Sequence, residues 1–111
     1  MILNVLQRNK TIMNIPPDAQ VALWYPDEAT YLDFKRVCSD RDSMFGIPYT
    51  EWLRRGNEIE EHLKRQGGIL AKAEGTADEF VDWCDLNSYD TASQSRIKFA
   101  AFKLFGDGVE R

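Results

Sequence analysis

Between residues 48 and 86 the chain reads as a long amphipathic helix, a Gly67-Gly68 stop, a short extended run and a helix opened by Thr76-Ala77-Asp78-Glu79. The first helix begins near Pro48, a residue favoured in the opening turn. Trp52, Gly56, Ile59 and Leu63 recur at steps of 4, 3 and 4, a narrow stripe suited to seating on one neighbour. Gly56 weakens the helix by up to about 1 kcal/mol relative to Ala, so its place in the stripe predicts a large group packed closely against it. The opposite face offers Glu51–Arg55, Glu60–Lys64 and Glu61–Arg65 in the favourable i,i+4 order. Gly67 suits the left-handed residue that ends a helix. Ile69 to Glu74 alternates weakly, with Ile69, Ala71 and Ala73 on one face. Thr76 and Glu79 then form a capping box. Helix, strand and helix in this order predict an α+β fold.

The flanking segments extend the pattern. Gln20 to Tyr25 alternates as a strand, with Val21, Leu23 and Tyr25 on one side and Gln20, Ala22 and Trp24 on the other. Pro26 ends it, and Asp27 can cap a helix running to about Cys38 that carries Tyr31, Phe34, Val37 and Cys38 on one face. Residues 39–47 read as a polar loop. The helix from Thr76 would bury Ala77, Phe80, Val81 and Cys84, with Trp83 at the edge. Thr91 with Gln94 is a second candidate box, opening a last helix that ends at Gly106. The expectation is one domain over 20–106 in the order β-α-α-β-α-α: a small two- to three-stranded sheet packed by about four helices. Two strands do not make a stable sheet unaided. Helices must cover them, or residues 1–12 or a partner chain must supply a third. The helical connection of about 40 residues makes parallel pairing feasible and leaves antiparallel pairing open. Residues 1–19 lack a period and end in Pro16-Pro17, so they read as an arm. Either Met13 is the natural start or residues 1–12 are loosely held. Residues 107–111 read as a frayed tail.

Composition bounds the function classes. The 111 residues are 43% apolar and 29% charged, ordinary for a single globular domain. The formal charge of −4 disfavours a general phosphate-tracking surface, so nucleic acid is not the expected partner. Cys38 and Cys84 lack metal-knuckle spacing. They read as small core residues in a reducing compartment, with a single Cys38–Cys84 bridge as the alternative. No run approaches the ~20 apolar residues of a membrane span. The apolar Met1–Leu6 is too short for a signal peptide, and its charges, Arg8 and Lys10, follow it rather than precede it. A cytoplasmic location without membrane contact is expected.

The succession of an extended segment, Thr76-Ala-Asp-Glu-Phe-Val-Asp-Trp-Cys84, a polar turn and an Ala/Phe-rich helix resembles that of some small uncharacterised bacterial proteins. These also carry an upstream helix with a Tyr-x-x-Trp-Leu start, here Tyr49-Thr-Glu-Trp-Leu53. The resemblance covers about residues 20–105. It implies the same α+β fold and a bacterial or mobile-element origin, and it carries no activity.

Few constellations suggest chemistry. His62, the only histidine, follows Glu58 by four residues. A lone pair lacks the further ligands a metal needs and reads as a solvated helix pair. Asp78, Asp82 and Asp85 project from one side of their helix, in a segment (74–90) with six acids and no base. They could form a solvated face, dock a partner, or hold a cation or act as acid and base. The last helix mirrors them with Arg96, Lys98 and Lys103, so the two helices can complement each other within one chain or across a dimer. On a helical wheel Ile97, Ala100, Ala101, Leu104 and Phe105 make one apolar face, and Phe99 and Phe102 fall largely outside it. A helix apolar nearly all round is buried on two sides. The off-face rings therefore contact the arm, a second copy or another protein. No phosphate-binding, nucleophile-elbow, zinc-protease or kinase signature is present.

These readings predict a non-enzymatic protein–protein interaction module, an accessory or inhibitor that self-associates. Its expected surface comprises Phe99, Phe102, Lys98, Lys103, Asp78, Asp82 and Asp85, with no cofactor or metal. A carboxylate-based enzyme and a nucleic-acid accessory using the last helix are the alternatives.

Overall fold

The computed structural model describes residues 19–106. The elements run β1 (Gln20–Leu23), α1 (Glu28–Val37), α2 (Arg41–Met44), α3 (Tyr49–Arg65), β2 (Leu70–Ala73), α4 (Ala77–Asn87) and α5 (Ser93–Phe105). The fold is α+β. The strands pair in parallel, Gln20 opposite Leu70 and Leu23 opposite Ala73, which resolves the open pairing direction. The short α2 interrupts the loop expected over 39–47 and brings the helices among the described residues to five. The expectations for residues 1–18 and 107–111 lie outside the described residues; Ala19, assigned to the arm, is buried.

Local signals set most boundaries. The Asp27 carboxylate accepts from the Thr30 N–H at 2.8 Å and caps α1. At the end of α3 the Gly68 N–H donates to the Leu63 carbonyl and the Gly67 N–H to that of Lys64, a Schellman closure with Gly67 at φ +80°. The capping box of α4 is complete: the Glu79 N–H donates to Thr76 Oγ1 at 3.0 Å, and the Thr76 N–H donates to Glu79 Oε1 at 2.8 Å.

The second expected box does not form. Helix α5 starts from Ala92 without a side-chain cap. The Thr91 hydroxyl accepts from the Ser39 N–H at 2.9 Å, beyond the end of α1. Asp90 serves the start of α5 instead, accepting from the Ala92 N–H at 3.2 Å and from the Ser95 hydroxyl at 3.3 Å.

The two helical layers grip the sheet from opposite faces. Helix α3 crosses the face bearing Ala22, Trp24 and Lys72, where Glu60 meets Lys72 at 2.9 Å. Helix α5 packs on the other face, and α1 and α4 complete the core behind Tyr25. The centre is aromatic: Tyr31, Phe34, Phe80 and Phe99 are all at most 1% exposed. Cys38 and Cys84 are buried free thiols within it. Trp83 is buried rather than at the edge, and Val81 is only half buried.

The close approach expected at Gly56 is Trp24. A Cβ on Gly56 would lie 2.9 Å from Cη2 and 3.0 Å from Cζ3 of that indole, which is itself held against Trp52 at 4.8 Å between centroids. Gly56→Ala therefore sets a helix-propensity gain of about 1 kcal/mol against an overpacking cost of about 1–3 kcal/mol. We expect a net loss of about 1 kcal/mol by urea unfolding, with a changed near-ultraviolet tryptophan signal. A stabilised Gly56→Ala variant would contradict this packing.

Candidate functional site

The predicted surface residues do not form one site. Asp78, Asp82 and Asp85 are exposed on α4. Among the described residues no group of three or more His, Cys, Asp or Glu is placed to hold a metal ion. Lys103 reaches Glu79 at 3.2 Å, so the acidic and basic helices do complement each other within the chain at this point. Lys98 lies over the Tyr89 ring, 4.6 Å from its centroid.

Phe99 corrects the expected interaction surface. It is 1% exposed and packs edge-on against Phe80 at 5.3 Å, with Trp83 at 5.7 Å. Gly75 allows this, since a Cβ there would lie 3.1 Å from the Phe99 ring. Phe102 is half buried beside Trp83. The buried arc of α5 is thus rotated from the expected one, because α4 takes the flank that the wheel left unpartnered.

Arg96 moves with that rotation. Instead of standing on a basic surface it is 7% exposed and forms a two-pronged pair with Asp40, Nη1 to Oδ1 at 2.7 Å and Nη2 to Oδ2 at 3.0 Å. Its guanidinium also lies 5.1 Å from the Phe45 ring centroid. The Arg96 hydrogen bonds hold the Asp40 carboxyl below its usual range. Burial opposes the charge on Arg96, but Asp40 and neighbouring groups outweigh it, so its pKa is raised. The signal was available: Arg96 precedes Phe99 and Ala100 by three and four residues and shares their face. Burial also raises both thiols, Cys84 to about 11, which keeps them protonated and poor nucleophiles at neutral pH.

The pairs on α3 are partly redistributed. Glu51 meets Arg55 at 2.9 Å as expected. Glu61 meets Lys64 rather than Arg65, and Glu60 turns to Lys72 rather than Lys64. Glu58 takes Arg54 at 2.6 Å instead of His62. His62 is exposed and lines a shallow groove beside Gln20, Ile59 and Leu63.

The most distinctive surface lies along β1, and no sequence motif marks it. The Gln20 and Trp24 N–H groups donate to the Ile69 and Ala73 carbonyls of the β2 segment. In a parallel ladder alternate residues point to alternate sides, so the N–H and C=O groups of Val21 and Leu23 point away from β2. There they border a groove of about 490 Å³. Trp52 and Ile59 of α3 wall one side, Arg96 and Ile97 of α5 wall the other, and Phe45 contributes to the lining. Among the described residues no strand pairs with this edge.

No family model matches the chain, and neither a curated protein nor a solved structure matches it. Among the described residues no helix is long and apolar enough to cross a membrane.

Proposed function

We propose that this chain is a non-enzymatic protein–protein interaction module, an accessory or inhibitor protein that self-associates, and that it works through the open edge of β1 rather than through Phe99. The observation that carries this is an edge of β1 that pairs with no strand among the described residues and is sunk in an apolar groove. Backbone groups of such an edge supply affinity for an extended strand, and the flanking side chains select it. The chemistry of the remaining groups supports the same reading. The thiols are buried, the three aspartates of α4 are exposed, and Arg96 and Lys103 are already engaged by carboxylates.

Proline at Val21 tests the site. The Val21 N–H points away from β2, so Val21→Pro removes an outward donor and spares the β1–β2 ladder. By light scattering, the wild-type chain should gain mass with concentration and Val21→Pro should stay monomeric. Ala22→Pro, which removes a ladder donor, should instead destabilise the fold. Equal mass for wild type and Val21→Pro across the concentration range would rule out this edge as the interface.

A further inference from the structure

The groove walls are side chains that project past β1, while the helices carrying them straddle the strand pair. Helix α3 meets Trp24 of β1 at Gly56 and Lys72 of β2 at Glu60. Helix α5 reaches Gly75, just beyond β2, through Phe99, and the edge of β1 through Ile97. Each helix leaves one isoleucine beside that edge, Ile59 at 53% exposure and Ile97 at 38%. Their stripe neighbours are buried: Leu63 is 9% exposed, and Ala100 and Ala101 are fully covered. The edge therefore suits a strand that brings apolar side chains of its own to both faces.

The backbone of β1 is complementary to itself. Within the strand, Val21 and Leu23 turn their N–H and C=O groups away from β2. Set antiparallel about a twofold axis through Ala22, Val21 of each copy lies opposite Leu23 of the other, and both pairs exchange N–H···O bonds in both directions. Opposed residues share a face, so Val21 and Leu23 stay on the α5 side, and Ala22, the smallest side chain of the strand, meets its own copy on the α3 side. Moving the axis to a neighbouring residue brings in Ala19, which is fully buried, or Tyr25, whose carbonyl already accepts from the Tyr49 hydroxyl at 2.9 Å. Charge agrees with this arrangement. Ala22, Gly56 and Ile59 line one hollow, so the axis meets α3 at their level. Arg55 and Glu58 are exposed and one turn apart beside Ile59. They run in opposite order in the two copies, which brings Arg55 of each near Glu58 of the other.

We propose that two copies of the chain join β1 to β1, antiparallel about Ala22, into one four-stranded sheet in the order β2-β1-β1-β2. This rests on the reading of the β1 edge as the interaction site, and it assigns the occupant and the register. Ile59 packs on Ile59 of the other copy and Ile97 on Ile97, one contact on each face of the sheet. The interface is isologous and closes at two copies, because it consumes the same edge of each. It also turns an isolated strand pair, weak by itself, into a sheet of stable size.

Amide hydrogen exchange on the full wild-type chain reads the pairing without a substitution. From dilute to concentrated solution the Val21 and Leu23 amides should slow together by at least ~10-fold, while those of Ala22 and Trp24, directed at β2, stay constant. Val21 and Leu23 rates independent of concentration would overturn the proposal. Oxidation of the full-length Ala22→Cys variant by oxidised glutathione reads the register. Residues facing each other in a non-hydrogen-bonded antiparallel pair stand ~4.5 Å apart at Cα, within disulfide reach, so a covalent dimer linked at position 22 should form. Val21→Cys, two residues out of step with its own copy and beyond that reach, should stay unlinked. A linked Val21→Cys, or a dimeric Ala22→Cys that does not link, would also overturn the proposal. Should Ala22→Cys fail to dimerise, the exchange result decides alone. The Val21→Pro mass measurement separates the two failures: a monomeric Val21→Pro keeps the β1 edge and discards only this pairing, whereas wild-type mass discards both.

Discussion

Phe99→Ala is expected to destabilise the fold by about 3–5 kcal/mol. The ring is 1% exposed, wedged between Phe80, Trp83 and the bare backbone of Gly75, and it closes the contact between α4 and α5. Its removal leaves a cavity walled by rigid aromatics and backbone, which relax little. Total stability for a small domain is about 5–15 kcal/mol, so the loss is a large fraction of it. A melting temperature lower by about 12–30 °C is the expected reading. Phe102→Ala, at a half-buried position three residues on, should cost less than about 1.5 kcal/mol. Comparable losses at the two positions would mean that α5 is rotated from the orientation described. Phe99→Glu should unfold the chain rather than release a monomer, because it would bury an unpaired carboxylate.

Asp40→Asn is the second large effect, about 3 kcal/mol or more. It leaves the Arg96 guanidinium, with its side chain 9% exposed, without a countercharge. The cost lies mainly in the stranded cation, so Asp40→Asn/Arg96→Met should recover most of it in urea unfolding. If the double variant is as unstable as the sum of the two single ones, the pair is not coupled as described.

The same pair predicts an acid limb. The folded-state pKa of Asp40 is depressed, first through its hydrogen bonds from Arg96. Its contribution is therefore complete above the unfolded value of about 3.9 and is lost as pH falls through the folded value. Asp40→Asn should flatten the decline of stability below about pH 4. An unchanged acid limb in that variant would place the titration elsewhere.

Features written in local spacing were legible. The Thr76/Glu79 box, the Asp27 cap and the Gly67 closure each join groups a few residues apart, so their chemistry is complete within a short window. Gly56 was legible in a different way: a costly residue in the middle of an apolar stripe implies a neighbour, although not that the neighbour is Trp24. The Thr91/Gln94 box failed because Ser39, 52 residues away, recruits the same hydroxyl. The face of α5 was misread because a wheel ranks residues by type. It cannot show that α4 covers the Phe99 flank or that Asp40 draws Arg96 inward.

What the amino-acid order decided by itself is the alternation of the main helices and strands and most of their ends, since caps, glycine stops and hydrophobic period act over distances the chain spans locally. Tertiary structure alone decided the parallel pairing, the burial of Phe99 and Arg96, and the sunken edge of β1. Each of these depends on which of several competing partners, distant along the chain, packs best on a given surface in space, and packing settles that competition only once all the layers are assembled.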